Sequence, residues 1–216
     1  ASATVSTGGS LIVKAFERVG PAEQSYGYGW GLETWGTGGF GSAASASNIT
    51  LEPGLWSLDN FGEVLIATIA NGKTFTWNSG AASALTTRAS TTTTNFSTSA
   101  NPTSTRVTLI SPTTRHLIHL GTETTIGTSS TRDNMFIRFS DAEDINSYGT
   151  SAINTAGTQR LQDGTKIMGA LKAKETILIW TDNALYTMKF VGAPFTFGFE
   201  QVGTNCGLIG KNAVVE

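Results

Sequence analysis

Residues 64–77 read VLIATIANGKTFTW, and this stretch decides the fold class. Two apolar and Thr-rich runs, Val64 to Ala70 and Lys73 to Trp77, flank the dipeptide Asn71-Gly72. Asn-Gly is preferred in two-residue type I′ turns, because both central residues need positive φ. The stretch therefore predicts a β-hairpin that turns on Asn71-Gly72.

The rest of the chain also favours short strands. Its 25 glycines and many Ser, Thr and Asn residues disfavour long helices, because glycine costs helix stability and the polar side chains compete for backbone hydrogen bonds. A second, weaker hairpin is predicted where Thr176 to Trp180 passes through Asp182-Asn183 into Ala184 to Phe190.

A pattern of strands repeats three times. The first strands begin at Leu55, Val107 and Ile167, 52 and 60 residues apart, and the second strands begin at Val64, His116 and Thr176 with the same offsets. Third strands follow at Lys73 to Trp77, Asn134 to Phe139 and Ala184 to Phe190, with a fourth at Phe197 to Val202 in the last copy. Repeats of about 40 to 50 residues with four strands are typical of β-propeller blades.

The sequence therefore predicts an all-β fold of propeller-like repeats, each a four-stranded antiparallel blade, in an incomplete or partial propeller. Residues 1–50 are predicted to hold an N-terminal strand and a Gly/Trp-rich loop, and the blades to span about 51–105, 106–165 and 166–216. Three blades do not close a ring. Either Leu11 to Phe40 supplies a degenerate blade, or the propeller continues beyond the given chain.

Composition restricts the function classes. Lys and Arg number 14 against 16 Asp and Glu, and only 14% of residues are charged, below the roughly 25% of typical domains. A strongly basic DNA-reading face and an acidic solvating tail are therefore not expected. No run approaches 18 consecutive apolar residues, so we expect no membrane insertion.

No motif in the sequence indicates catalysis or cofactor binding, so we expect no enzyme, no cofactor and no catalytic or metal-binding residue. Gly36 to Gly41 matches GxGxxG, and Asp59 follows at about the spacing of a dinucleotide fingerprint. The match lacks a preceding apolar strand and a following helix, which indicates a structural loop.

Three other candidates also favour structural roles. His116 and His119, three apart in a strand, point to opposite faces and cannot share a metal, so one is expected at an edge or surface and one packed. The acidic cluster Asp141, Glu143 and Asp144 lacks calcium-loop spacing and is expected to cap a turn. Cys206 has no activating partner nearby and is expected to be a buried or half-buried thiol.

Most aromatic residues fall in the predicted strands, where core packing is their expected use. The exceptions lie in the Gly-rich loop, where Trp30, Trp35 and Phe40 are the candidate assembly or contact residues.

Several segments together carry a family resemblance. They are Gly27 to Gly31 with Thr34 to Gly36, Leu55 to Glu63, Phe136 to Ser140, Leu178 to Asp182, Leu185 to Met188, and Gly192 to Gly198, read as GAPFTFG. With these segments the chain resembles tailed-bacteriophage virion structural proteins of the tail-nozzle or packaged-DNA-stabilising type. The resemblance covers about Tyr26 to the C-terminus, and the GAPFTFG element is its most specific part.

The resemblance implies a non-enzymatic subunit of the virion tail or neck that forms a homo-oligomeric ring and contacts other tail or neck proteins. The ring would retain and conduct the genome without sequence-specific DNA binding. A weakly charged wall suits sliding DNA, because DNA affinity grows with the number of Lys and Arg contacts to phosphates.

A second hypothesis is a carbohydrate-binding propeller or adhesin, with Trp30 and Trp35 as the sugar platform. That function would need an exposed aromatic residue beside paired polar groups in each blade, and the sequence shows no such repetition.

Overall fold

The structure is a computed structural model that describes residues 54–81, 84, 87–90 and 101–215. These residues form eleven β-strands and one 3-10 turn, Ser129–Thr131. In chain order the strands are β1 (Trp56–Phe61), β2 (Val64–Ile69), β3 (Thr74–Asn78), β4 (Thr105–Ile110), β5 (Leu117–Thr122), β6 (Phe136–Phe139), β7 (Gly157–Arg160), β8 (Ile167–Lys172), β9 (Thr176–Thr181), β10 (Ala184–Phe190) and β11 (Phe197–Thr204). They all belong to the unit Trp56–Glu216.

The strands form three antiparallel sheets. Sheet 1 has the order β1-β2-β3, sheet 2 the order β4-β5-β6-β7, and sheet 3 the order β11-β10-β9-β8, so each strand pairs with its neighbours along the chain. The prediction of an all-β fold is confirmed for the described residues, which contain no α-helix. Sheet 1 has three described strands rather than four, and the three sheets do not close a ring among these residues.

The hairpin that decided the fold class is present, but its turn lies one residue earlier than predicted. The Gly72 N–H donates to the Ile69 carbonyl at 2.9 Å, which makes Ala70 and Asn71 the central residues of the turn. Asn71 adopts a φ of 63°, a left-handed conformation that asparagine tolerates better than most residues. The prediction of a type I′ turn centred on Asn71-Gly72 is therefore wrong, because Gly72 is the fourth residue of the turn.

The second predicted hairpin is confirmed. Leu185 of β10 pairs with Trp180 of β9, and Asp182-Asn183 forms the connection. The Thr181 hydroxyl oxygen accepts the backbone N–H groups of Asn183 at 3.1 Å and of Ala184 at 2.8 Å. The Thr181 side chain at the end of β9 thus stabilises the turn by accepting two backbone hydrogen bonds.

The sheets share a strand order but not one fixed register. In sheet 1 Leu58 pairs with Ala67, whereas 52 residues later Ile110 pairs with Leu117 instead of His119. A slip of two residues keeps every side chain on its original face, since side chains alternate with a period of two. The repeat is therefore maintained in the order of the strands and in the face on which each side chain lies. The predicted offset of 52 residues does not hold for the pairing of β4 with β5.

Sheet 2 is the central layer. Every residue of β5 is buried, which an exposed face would not allow. Leu117 packs in a cluster with Ile66 of sheet 1, whereas Ile118 and Leu120 pack in the larger core that sheet 2 shares with sheet 3. Successive side chains of β5 thus enter two different cores, because adjacent residues of a strand face opposite sides.

The contact between sheets 1 and 2 contains a ladder of threonine hydroxyl groups. Thr108 on β4 donates to Thr68 on β2 at 2.8 Å, and Thr68 donates to Thr74 on β3 at 2.8 Å. All three threonines are buried. Because each buried hydroxyl has a partner, the sheets pack together without an unsatisfied polar group at this position.

The Asp59 carboxylate connects the first strands of the three sheets. Asp59 lies on β1, and its Oδ2 accepts the backbone N–H of Ile110 on β4 at 2.7 Å. Lys172 on β8 donates through Nζ to both carboxylate oxygens, at 2.7 and 2.8 Å. The Asp59 side chain is only 12% exposed, so solvent screens this pair less than a typical surface ion pair.

After β11 the chain returns to the first strands. The Lys211 Nζ donates to the Trp56 carbonyl at 2.6 Å and to the Ser57 hydroxyl at 2.7 Å. A Cβ atom on Gly169 of β8 would lie 3.0 Å from the Lys211 carbonyl oxygen. Burial lowers the pKa of the Lys211 amine to about 8. The segment around Lys211 thus lies against both β8 and β1.

Substitution of Asp59 tests the junction. Asp59→Ala should lower the free energy of unfolding by about 2 to 3 kcal/mol, because the Ile110 N–H and the Lys172 amine both lose a charged acceptor. Asp59→Asn should cost less, since an amide oxygen still accepts from Ile110. Lys172→Met should cost about 1 kcal/mol, less than Asp59→Ala, because the Lys172 side chain is 42% exposed and the bond from Ile110 to Asp59 remains. Urea unfolding at neutral pH measures the three values, and equal losses for all of them would contradict this assignment.

Candidate assembly surface

The contact residues that the sequence predicted, Trp30, Trp35 and Phe40, lie outside the described residues. The same holds for the GxGxxG match from Gly36 to Gly41. The described part of the chain offers a different candidate surface, which overlaps the GAPFTFG element.

An exposed apolar tip joins β10 to β11. We define the hairpin tip as Phe190 to Thr196; within it Phe190 is 41% exposed, Val191 57% and Phe195 73%. Gly192 has a φ of 80°, a conformation that side chains rarely adopt, and Pro194 follows a cis peptide bond. Sequence analysis missed Phe195 because it assigned most phenylalanines to the core. The position of Phe195 in a proline-containing connection between Gly192 and Gly198 is the signal that could have revealed it.

An aromatic cluster under the tip anchors it to sheet 2. The buried Phe197 ring has its centroid 4.9 Å from that of Phe139, 5.0 Å from that of His116 and 5.9 Å from that of Phe190. All three contacts are edge-to-face, the arrangement that aromatic quadrupoles favour. The tip therefore exposes Phe195 from a well-packed base.

A polar network also holds the tip. The Thr196 hydroxyl donates to the Thr155 carbonyl at 2.7 Å. The Thr155 hydroxyl donates to Asp141 Oδ1 at 2.5 Å, and this bond is the main reason that the pKa of Asp141 is lowered. His116 Nε2 lies 2.9 Å from the same Thr155 oxygen.

The hydrogen-bond partners of His116 determine which of its ring nitrogens carries the proton. Because Thr155 gives its only hydroxyl proton to Asp141, His116 Nε2 must carry a proton and donate it to the Thr155 oxygen. In the neutral imidazole, which the burial-lowered pKa of His116 favours, Nδ1 then accepts from the Thr114 hydroxyl at 2.7 Å. A histidine that donates to Thr155 does not activate the hydroxyl as a nucleophile, so this Thr, His and Asp group stabilises the fold.

His119 belongs to a second buried network. Thr122 donates its hydroxyl proton to the Ser104 carbonyl at 3.1 Å, so Thr105 must be the donor in its 2.9 Å bond to Thr122. His119 Nδ1 therefore donates to Thr105 at 3.1 Å, and Nε2 accepts from the Tyr148 hydroxyl at 2.8 Å. This arrangement requires a neutral imidazole. Burial lowers the pKa of His119 to about 3.

The expectation of one edge or surface histidine is wrong. His116 and His119 are both 0% exposed. The error arises because sheets cover both faces of sheet 2, so a strand residue on either face is buried. His116 also precedes β5, which begins at Leu117. The ring nitrogens of both histidines already contact Thr or Tyr side chains.

Two buried charged residues were not predicted. Glu123 is 0% exposed, and its Oε2 accepts the backbone N–H groups of Gly127 at 2.7 Å and of Thr128 at 3.2 Å. Arg138 donates through one terminal nitrogen to the carbonyls of Glu123 at 3.3 Å and of Thr124 at 2.8 Å. These bonds fix the loop after β5, which is a structural role.

The acidic cluster caps a turn, as predicted. Asp141 Oδ1 accepts the Ala142 N–H at 2.9 Å, and Asp144 Oδ1 accepts the Asn146 N–H at 2.8 Å. Glu143 forms a largely exposed ion pair with Arg115.

The prediction of a buried or half-buried Cys206 is wrong, since the thiol is exposed in the segment that follows β11. Among the described residues, no group of three or more His, Cys, Asp or Glu is placed to hold a metal ion. The same part of the chain has no helix of the length and hydropathy needed to cross a membrane.

No protein-family model and no curated protein matches this sequence. The resemblance to phage virion proteins therefore stays a prediction.

The two phenylalanines of GAPFTFG provide a matched test of the tip. Phe195→Ala should change the free energy of unfolding by no more than about 0.5 kcal/mol, because its ring is exposed. Phe197→Ala should lower it by about 3 to 5 kcal/mol, because it removes the centre of the aromatic cluster. Urea unfolding compares the variants, and a large loss for Phe195→Ala would show that this side chain belongs to the core.

The buried histidines predict acid sensitivity at mild pH. The unfolded chain binds a proton at His119 below about pH 6.5, whereas the folded chain resists protonation down to about pH 3. Stability is therefore highest above pH 6.5 and falls as the pH drops, by up to about 1.4 kcal/mol per pH unit for this group. Three carboxyl groups add to the loss of stability mainly below about pH 4, because their pKa values are lowered from 3.8 in the folded chain. They belong to Asp133, Asp141 and Asp182.

The pKa of His116 is also lowered by burial, so it contributes in the same direction. His119→Gln should reduce the slope of unfolding free energy against pH between 6.5 and 4.5. Urea unfolding at several pH values in this range measures the slope, and a wild-type slope in the variant would contradict the role of His119.

Proposed function

We propose that this chain is a non-enzymatic structural subunit of a tailed-phage virion. In this proposal several copies form a ring in the tail nozzle or neck, where they retain and conduct the genome. The junction at Asp59, which joins the first strands of the sheets, is the observation that carries the architectural part of the proposal.

The junction supports a propeller-like arrangement of the sheets. A propeller places its blades around a central channel, so that one strand of each blade lies near the axis. Here each sheet is a meander, and its first strand reaches the common centre at Asp59. The segment around Lys211 returns to that centre after the last strand of sheet 3. We infer that sheets 1, 2 and 3 are consecutive blades of a partial propeller.

The charge of the chain supports a conduit rather than a DNA-binding protein. The net charge is -2 and the charged fraction 14%. Non-specific DNA affinity comes mainly from Lys and Arg contacts to phosphates. A wall of this composition would let DNA pass without holding it at one sequence.

The hairpin tip supports contact with a second protein. Phe190, Val191 and Phe195 expose apolar surface from a segment that aromatic and polar contacts anchor. Contiguous exposed apolar patches on soluble proteins commonly mark interaction sites. We propose that the tip contacts another tail or neck protein, and the tip includes the GAPFT part, Gly192 to Thr196, of the element on which the phage resemblance most depends.

Localisation in the particle tests the virion role. Immunogold labelling of purified particles of the phage that encodes this chain should place it at the tail or neck, and its absence from the particles would refute the proposal. Fluorescence anisotropy with duplex DNA should show binding weaker than about 10⁻⁴ M at physiological salt. A chain that is absent from particles and binds glycans on an array would support the adhesin hypothesis instead.

A further inference from the structure

His116 lies between sheet 2 and the strands that carry the hairpin tip. It is fully buried, and its ring centroid is 5.0 Å from that of Phe197 on β11 and 6.5 Å from that of Phe190 on β10. Within sheet 2, the Phe139 ring centroid is 6.2 Å away. Three phenylalanine rings therefore surround this histidine, and two of them belong to the strands that carry the tip.

The polar partners of His116 lie in two loops of sheet 2. Its Nε2 donates to the Thr155 hydroxyl oxygen at 2.9 Å, and its Nδ1 lies 2.7 Å from the Thr114 hydroxyl. The Thr155 carbonyl also accepts the hydroxyl proton of Thr196, which belongs to the tip. Thr155 therefore contacts both the imidazole and the tip.

The loop between β4 and β5 can accept a protonated His116. An added proton would go on Nδ1, which is the acceptor in the neutral ring. The Thr114 hydroxyl would then have to turn its hydrogen away from Nδ1. Ser111 Oγ lies 2.9 Å from the Thr114 oxygen, and either atom can be the donor. This loop can therefore reorient its hydroxyl groups without losing a hydrogen bond.

The tip side of His116 cannot adapt in this way. Phenyl rings carry no oxygen that could accept a proton from the ring nitrogens, and they keep water away from the charge. Burial is the main reason that the pKa of His116 is lowered, and the Asp141 carboxylate opposes this effect only in part. Separation of the tip from sheet 2 would bring water to the imidazole. The open conformation therefore binds a proton more tightly than the closed one.

Other charged groups near His116 do not face it. Lys189 on β10 and Glu200 on β11 each alternate with residues of the core that sheets 2 and 3 share, so they point away from sheet 2. Arg115 forms an ion pair with Glu143. His119 alternates with residues of the same core and lies on the opposite face of sheet 2.

We propose that protonation of His116 releases the hairpin tip from sheet 2, so that the tip holds its partner at neutral pH and loses it in mild acid. The inference rests on the proposed contact of the tip with another tail or neck protein, and it deepens that proposal by naming what regulates the contact. The closed conformation is fully favoured above about pH 6.5, the ordinary pKa of histidine. Below that pH the ratio of open to closed tips rises by up to about tenfold per pH unit, because opening takes up one proton.

Hydrogen exchange of single amides in the full chain, followed by NMR at several pH values from about 7 to about 5, tests the release. The Val191 N–H, which donates to the Thr196 carbonyl at 3.1 Å, reports on the tip. The Ser140 N–H, which donates to the Leu117 carbonyl at 2.9 Å, reports on sheet 2. After correction for the intrinsic effect of pH on exchange, the opening constant at Val191 should exceed that at Ser140. It should rise about threefold to tenfold per pH unit below about pH 6.5.

Two histidine variants separate release of the tip from general acid sensitivity. His116→Gln can still donate to Thr155 but takes up no proton, so the pH dependence at Val191 should be lost. His119→Gln is the matched control and should leave the response at Val191 unchanged. Circular dichroism verifies folding. His116→Asn, whose amide oxygen can accept from Thr114, replaces His116→Gln if that variant is unfolded.

Three results would overturn the proposal. Equal opening constants at Val191 and Ser140 would show that the tip opens only when the whole chain unfolds. An opening constant at Val191 that does not change with pH would show that no proton is taken up. A wild-type response in the folded His116 variant would assign the proton to another group.

Failure of this release is separable from failure of the virion role. If immunogold labelling finds the chain in phage tails while the tip stays closed in acid, only the release is refuted. If the tip opens as expected while the chain is absent from particles, the acid response of the tip stands and the virion role is refuted.

Discussion

The hydrogen bonds of the Asp59 carboxylate are the most directional link between the first strands of the three sheets. One oxygen holds the backbone of β4, and both oxygens hold the amine of Lys172 on β8. Apolar packing favours burial but specifies position poorly, whereas a bond to a single backbone N–H has a defined geometry. A mostly shielded carboxylate on β1 can therefore fix where the first strands of the other two sheets lie.

The central position of sheet 2 explains why the chain buries so many polar side chains. A layer covered on both faces has no solvated side for its threonines and histidines. The structure satisfies these groups through chains of hydrogen bonds, such as the one from Tyr148 through His119 and Thr105 to Thr122. Each group in the chain has a defined donor role, so a proton added to His119 would leave two donors facing each other.

The sequence predicted what depends on local chemistry. Alternating apolar residues and turn residues located the strands, and Asp182-Asn183 located a hairpin. The sequence did not predict which faces are covered, because that depends on how distant segments stack. The burial of His116, the exposure of Phe195 and the two-residue slip between sheets 1 and 2 are all of this kind. The contact residues predicted from the sequence, Trp30, Trp35 and Phe40, lie outside the described residues. The hairpin tip became a candidate only because the structure shows its apolar side chains to be exposed.

The low charge of the chain bears on how its exposed apolar tip can be used. Charged residues are depleted from the centres of protein interfaces, because their desolvation is costly there. The tip follows this pattern, since Phe190 to Thr196 contains no charged residue and leaves Phe195 73% exposed. Elsewhere on the chain 14% charged residues give little electrostatic repulsion between copies. The same composition therefore offers an apolar contact point and little charge to oppose an approaching protein.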